Sequence, residues 1–122
     1  MENFIENDGV KLWTKITGNN EGNYIMLCNG GPGSPDYLAP VAQMIDDMAN
    51  IIRFEQRACG RSTIDYNCDI NTTISDLEHI RKFYGISKWI IGGHSWGANL
   101  ALAYALKYPE KTQHFSYTAQ KI

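Results

Sequence analysis

The chain lacks the features that would place it in several special classes of protein. No apolar stretch approaches the ~20 residues that a membrane-spanning helix needs, and residues 1–8 show neither the basic nor the apolar region of a signal peptide. The formal charge of −2 over 122 residues gives no basic footprint for nucleic acid. We therefore expect neither a membrane nor a nucleic acid as a partner.

Cysteine is also scarce. The three cysteines, Cys28, Cys59 and Cys68, form no C-x-x-C pair, and an odd, scattered set predicts reduced thiols in a cytoplasmic protein. No His/Cys/Asp/Glu cluster has the spacing of metal ligands, and neither a P-loop nor a G-x-G-x-x-G motif occurs. We expect no metal and no cofactor.

Hydrophobic residues make up 43% of the chain, enough for one domain with a core. A hairpin is predicted for residues 4–6 and 10–16, turning at 7–9. Apolar runs predict strands at 24–28, 51–54 and 88–93, with a further strand beginning at 115–118. Helical spacing predicts helices over 38–48, from a capping box of Thr73 and Asp76 to Gly85, and over 97–107. This alternation indicates a mostly parallel sheet with helices on both faces.

The most informative segment is residues 92–97, Gly-Gly-His-Ser-Trp-Gly, which lies between an apolar strand and an apolar helix. A Gly-x-Ser-x-Gly at a strand-to-helix turn is typical of a nucleophile elbow, which predicts Ser95 as a nucleophile. Gly93 and Gly97 would be needed because strand and helix backbones pass closely there. The plainer alternative is that Ser95 only caps the helix.

A serine nucleophile that attacks a carbonyl needs two backbone N–H groups for the oxyanion. Trp96, the residue after the nucleophile, supplies one by the geometry of the elbow. We predict Gly31 as the second donor, with Gly30 as the next choice, and expect Gly30 and Gly33 to shape the loop. The alternative is that residues 30–33 form a plain turn.

The hydroxyl also needs a base, and the histidines are poor candidates. His94 adjoins the serine and projects differently around the turn. His79 lies on the solvent side of its helix, and His114 follows a helix that carries the chain about 16 Å away from the elbow. We infer that the general base is missing from these 122 residues.

Three segments, in this order, resemble the proline iminopeptidase branch of the α/β-hydrolases. Residues 29–33 resemble its His-Gly-Gly-Pro-Gly loop, residues 55–62 its Asp-Gln-Arg-Gly-x-Gly-x-Ser segment, and residues 92–97 its elbow. The departures are Asn29 for His, Glu55 for Asp and Ala58 for Gly. The resemblance covers residues 4–112, the N-terminal half of that family's catalytic domain.

This resemblance implies a truncated α/β-hydrolase fold, with residues 1–122 forming a partial domain that lacks the cap and the catalytic Asp and His. It implies a serine hydrolase that releases N-terminal residues, preferably proline, from a small peptide or amide through an acyl-enzyme. We expect Glu55, Arg57 and Arg61 to brace the loop after the fourth strand, with a role in binding substrate as the alternative. Two alternatives stay open: an esterase- or lipase-like hydrolase, and a non-catalytic fragment or one that pairs with a separately encoded C-terminal half.

Overall fold

The computed structural model describes residues 1–18, 22–31, 34–66 and 69–118, with the backbone alone for residues 114–118. Within these ranges, strands and helices alternate after an initial pair of strands. The elements are β1 (Glu2–Asn7), β2 (Val10–Thr17), β3 (Tyr24–Cys28), α1 (Ala39–Ile45), β4 (Asn50–Phe54), α2 (Ile70–Phe83), β5 (Trp89–His94), α3 (Trp96–Lys107), a 3₁₀ turn (Pro109–Lys111) and β6 (Thr112–Thr118).

The first two strands form the predicted hairpin. Asn7 pairs with Val10, which leaves a two-residue turn in which Asp8 and Gly9 both have positive φ, 53° and 78°. Two consecutive positive φ angles match the twist of the flanking strands, and Asp-Gly is a favoured pair for such a turn. The turn therefore fixes the register of the hairpin.

The six described strands form one sheet in the order β1-β2-β4-β3-β5-β6. β1, β2 and β4 pair antiparallel, whereas β4, β3, β5 and β6 run parallel. The carboxyl ends of the parallel strands consequently lie along one edge of the sheet, and the loops that follow β3, β4 and β5 start there.

Alternate residues of β3 face two different cores. Met26 and Cys28 belong to the larger cluster, which includes Leu77 of α2 and Leu100 of α3. Leu27 belongs to a smaller cluster with residues of α1. Helices therefore lie on both faces of a mostly parallel sheet, as the sequence predicts, but the face bearing α2 and α3 holds most of the buried apolar residues.

Three predicted boundaries were wrong. α1 ends at Ile45, and Met48, expected on its apolar stripe, is exposed. α2 begins at Ile70 and is capped by Asp69, whose side chain accepts a hydrogen bond from the Thr72 N–H, so the predicted Thr73–Asp76 capping box does not form. β6 begins at Thr112, three residues earlier than predicted, because Thr112 pairs with Trp89 of β5 and, after a register shift, residues 114–118 pair with residues 90–94.

None of the helices in the described ranges is long and apolar enough to cross a membrane.

Candidate active site

Ser95 lies in the tight turn that joins β5 to α3. Its backbone has φ 59° and ψ −125°, a conformation that costs a non-glycine residue on the order of 1–3 kcal/mol and persists only where the surroundings impose it. Ser95 stands at the N-cap position of α3, but its side chain makes no capping hydrogen bond. The capping alternative therefore does not explain the serine.

The surroundings that impose this turn are two close backbone approaches. A Cβ at Gly93 would lie 2.1 Å from the Gly97 carbonyl oxygen, and a Cβ at Gly97 would lie 2.1 Å from the carbonyl oxygen of Cys28. Real Cβ atoms do not approach backbone atoms this closely. Both glycines are therefore required for β5, α3 and the end of β3 to pack as they do.

The loop after β3 lies directly against the serine. A Cβ at Gly30 would lie 3.2 Å from the Ser95 Cβ and 2.4 Å from the Tyr37 hydroxyl. The Gly30 N–H donates to that hydroxyl at 2.6 Å. Gly31 follows with φ 135° and is exposed, whereas Gly33 falls outside the described residues. The structure thus brings the predicted loop and the predicted nucleophile together.

Trp96 is the first residue of α3 and is half-buried against the larger core. The first four N–H groups of a helix have no acceptor within the helix, and they lie at the positive end of its dipole. The Trp96 N–H is therefore placed, next to Ser95, where negative charge is favoured.

The three histidines lie in different surroundings. The Nδ1 of His94 and the Tyr37 hydroxyl are 2.7 Å apart, with the two rings edge to face. His79 is exposed, with its Nδ1 3.0 Å from the Ser75 carbonyl oxygen. The backbone of His114 pairs with Ile90, five residues before Ser95, which is about 16 Å along a strand.

Sequence reasoning missed Tyr37. Its hydroxyl joins the Gly30 N–H to the His94 ring and so ties the loop after β3 to the residue before Ser95. No local motif signals this role, because the three residues come from two distant segments of the chain. Only the spatial approach of the two loops reveals it.

The loop after β4 is organised around the buried carboxylate of Glu55. It accepts hydrogen bonds from the Arg61 side chain at 2.9 and 3.0 Å and from the backbone N–H groups of Arg61 and Asp36. Burial opposes the charged form, but the hydrogen bonds and the charge of Arg61 outweigh it and lower the pKa of Glu55. Glu55 and Arg61 therefore brace this loop, as expected.

Arg57 braces the same loop from the other side. Its guanidinium binds both carboxylate oxygens of the buried Asp76 at 2.9 Å and also contacts Asp65 at 3.0 Å. The Asp76 hydrogen bonds are the main cause that raises the pKa of Arg57. Asp76, expected to cap α2, instead anchors the loop to that helix.

An apolar groove of about 370 Å³ lies on the α1 face of the sheet, beside the elbow. Its floor comes from β3 and β5, and its wall comes from α1 and the residue before that helix. It is lined by Ile25, Leu27, Leu38, Val41, Ile45, Ile90, Gly92, Gly93 and His94. Parallel sheets are normally covered on both faces, so this groove marks sheet surface that α1 leaves partly uncovered.

No group of three or more His, Cys, Asp or Glu residues in the described part of the chain is placed to hold a metal ion. The site consists of a strained serine, backbone N–H groups and an apolar groove. This arrangement can present a hydroxyl to a carbonyl carbon and stabilise the oxyanion that forms.

A protein-family model identifies the fold of this chain. The family model described as the alpha/beta hydrolase fold matches residues 23–115, which include the loop after β3 and the elbow. The chain belongs to the α/β-hydrolase fold family.

Within that family, the chain is similar to proline iminopeptidases. It is 39% identical over 108 residues to the proline iminopeptidase of Xylella fastidiosa, covering 86% of this chain and 34% of the relative. The chain thus spans about a third of the length of that relative.

Solved structures agree on the fold. A proline iminopeptidase from Mycobacterium smegmatis superposes with a TM-score of 0.81 at 19% identity, over 94% of this chain and 42% of that one. An enol-lactonase from Burkholderia xenovorans LB400 gives a TM-score of 0.85 at 18% identity, over 93% and 45%. At these identities the likeness establishes the fold alone.

Proposed function

We propose that this chain carries the nucleophile and the oxyanion loop of a serine hydrolase of the proline iminopeptidase type. The observation that carries the proposal is the strained Ser95 turn, packed against Gly30 of the loop after β3. The similarity to curated proline iminopeptidases supports the substrate class: a small peptide from which an N-terminal residue, preferably proline, is released.

In the proposed reaction, the Ser95 Oγ attacks the carbonyl carbon of the N-terminal residue. The N–H groups of Gly31 and Trp96 donate to the resulting oxyanion. The C–N bond to the next residue then breaks, and the leaving amine takes the proton that a base removed from the hydroxyl. In the second half, water gives a proton to the same base and attacks the acyl carbon, and the bond from that carbon to the Ser95 Oγ breaks as the Oγ takes the proton. The chain would work in the cytoplasm, a reducing compartment in which free thiols such as those of Cys28 and Cys59 persist.

The base and its acidic partner come from outside these 122 residues in this proposal. His94 is engaged by Tyr37, His79 lies on the outer face of α2, and the His114 backbone pairs near the start of β5. We therefore treat residues 1–122 as a partial hydrolase domain and its partner as the remaining portion of the fold.

That remaining portion would pack a helix into the apolar groove on the α1 face. The groove fits this occupant because it is apolar, adjoins the elbow and lies on a parallel-sheet surface that helices normally cover. The relative from Xylella fastidiosa has about two thirds of its length beyond the matched share, which is ample chain for that cover.

The test is complementation. This chain is co-expressed with the unmatched portion of the Xylella fastidiosa relative, and release of p-nitroaniline from Pro-p-nitroanilide is measured. We expect activity only with both parts, and a loss on the order of 10³-fold or more for Ser95→Ala. Normal turnover by the isolated chain would contradict the missing base.

Two variants of α1 test the groove by measuring how tightly the same two parts assemble. Val41 lines the groove, and Met44, on the same helix, does not. We expect Val41→Asp to weaken assembly at least tenfold and Met44→Asp to leave it unchanged, measured by titration calorimetry. Equal effects of the two variants would refute the groove as the docking surface.

The same complex separates the alternatives. Cleavage of p-nitrophenyl acetate without cleavage of Pro-p-nitroanilide would favour the esterase-like hydrolase. A folded complex inert toward both substrates would favour the non-catalytic fragment. Light scattering on the isolated chain tests whether a second copy occupies the groove instead.

A further inference from the structure

The side chain of Asn29 holds the loop that carries the proposed oxyanion donor. Asn29 is 1% exposed, and its Nδ2 lies 3.0 Å from the Gly30 carbonyl oxygen and 3.2 Å from those of Ser34 and Pro35. One amide group thus bridges the two ends of the loop.

The bond to the Gly30 carbonyl has a directional consequence. In a trans peptide the C=O of one residue and the N–H of the next point in opposite directions. The peptide that joins Gly30 to Gly31 therefore has its Gly31 N–H directed away from the Asn29 amide. Glycine tolerates many backbone conformations, so this peptide would be free to rotate without such a restraint.

The peptide before Gly30 is held as well, because the Gly30 N–H donates to the Tyr37 hydroxyl at 2.6 Å. Both peptide groups that flank Gly30 are thus fixed by side chains, one through its N–H and the other through its C=O. Asn29 binds the peptide that joins Gly30 to Gly31, and this is the peptide that contains the Gly31 N–H.

The surroundings of Asn29 require a donor. Three carbonyl oxygens face its Nδ2, and its buried Oδ1 finds no hydrogen-bond partner among the residues that the structure describes. Rotating the amide by 180° would place its oxygen against the three carbonyls. The side chain therefore works here through its N–H groups.

We propose that Asn29 is a positioning residue that sets the orientation of the Gly30–Gly31 peptide and so presents the Gly31 N–H to the oxyanion. The oxyanion part rests on the proposed function; the orientation of the peptide does not. Preorganised donors are effective because they need no rearrangement when the charge develops. A chain with Asn where related loops carry His thus keeps a donor at this position.

The first arm of the test is spectroscopic and uses the full chain labelled with ¹³C and ¹⁵N. Asn29→Ala and the isosteric Asn29→Asp should both change the Gly30 carbonyl ¹³C shift and the Gly31 amide ¹⁵N shift, because both atoms belong to the peptide that the Asn29 amide holds. Asn29→His, which retains an N–H donor, should restore values near those of the original chain.

A matched control is Asn50→Ala. Asn50 is equally buried but begins β4, at the opposite edge of the sheet from this loop. We expect its substitution to leave the Gly30 and Gly31 signals unchanged. An unchanged Gly30 carbonyl shift in both Asn29→Ala and Asn29→Asp would overturn the proposal.

The second arm measures Pro-p-nitroanilide cleavage in the complemented complex. Asn29→Ala should lower kcat by about tenfold to a hundredfold, less than the loss of a donor outright, with KM within about twofold. Asn29→His should recover most of kcat. A changed carbonyl shift with unchanged kcat would overturn the oxyanion role. An inert complex before substitution would refute the proposed function, while the carbonyl shift would still decide the role of Asn29.

Discussion

The two faces of the sheet differ in how completely this chain covers them. On one face, α2 and α3 bury a large cluster that includes Leu77, Ile80 and Leu100, each fully inaccessible to solvent. On the other, α1 covers a smaller cluster and leaves an apolar groove in which Ile25 and Ile90 are only partly buried. Within the described residues, helices cover the first face of the sheet and leave part of the second face uncovered.

This difference separates two roles of apolar residues. On the covered face they stabilise the folded chain itself. On the groove face they contribute less to its folding and are available for a contact beyond it. Substitutions on the face covered by α2 and α3 should therefore change the free energy of unfolding of the isolated chain strongly. Substitutions on the groove face should change it weakly.

The largest effect is expected at the buried ion pair on the covered face. Arg81 binds both carboxylate oxygens of Glu78 at 2.8 and 2.9 Å, and the Tyr104 hydroxyl of α3 donates to the same carboxylate. Arg81→Met would leave the Glu78 charge without its counterion, which costs about 3–5 kcal/mol of the free energy of unfolding. Urea denaturation measures this loss.

The control for that prediction is the double variant Glu78→Gln with Arg81→Met, in which no uncompensated charge remains. It should recover most of the lost stability. A single Arg81→Met variant as stable as the original chain would show that the covered face tolerates an unpaired charge, and would weaken the contrast between the faces.

A matched pair of isoleucines tests the comparison directly. Ile80 on α2 is fully buried, whereas Ile45 on α1 is partly buried and lines the groove. Ile80→Ala should cost about 2–5 kcal/mol because it leaves a cavity, and Ile45→Ala less than half as much. Equal losses in urea denaturation would mean that the groove face is as well packed as the other.

A smaller change is expected where backbone strain, not packing, is altered. Ala58 adopts φ 62°, a conformation that costs an L-residue roughly 1–2 kcal/mol. Ala58→Gly should raise the free energy of unfolding by about 1 kcal/mol, since glycine's greater freedom in the unfolded chain offsets part of the relief. Thermal unfolding measures the gain, and a lower midpoint would contradict it.

The smallest effect is expected at the rim of the groove. Val41 is 41% exposed, so Val41→Asp should change the stability of the isolated chain by only about 0.5 kcal/mol. A loss several times larger would indicate that the isolated chain already buries Val41, and light scattering would then be expected to reveal self-association.

Much of this fold follows from local pattern. Asp8-Gly9 supplies the two positive φ angles of the hairpin turn, and Gly93 and Gly97 mark the elbow because no larger residue fits beside the passing backbones. The end of α1 cannot be predicted from local pattern, because the apolar spacing continues to Met48. Only the tertiary structure ends the helix at Ile45 and leaves the Met48 side chain exposed.

The candidate site was predictable only in part. Ser95 and the glycine loop lie in motifs, so their spacing identifies them. Tyr37 and Asn29 act through hydrogen bonds that depend on how two loops meet, and no sequence period encodes that. Asp76 was expected to cap α2, but the charge of Arg57, distant in sequence, engages it instead.

The strand order has a consequence for where any ligand must lie. β3 and β5 are neighbours in the sheet, yet the chain leaves β3 toward α1 on one face and leaves β5 toward α3 on the other. Ligands of open α/β sheets bind in the crevice at such a topological switch point, and here Gly30 and Ser95 lie against each other where the two loops diverge. The connectivity of the sheet, not the identity of any side chain, locates this crevice, so replacing either loop would change its chemistry without moving it.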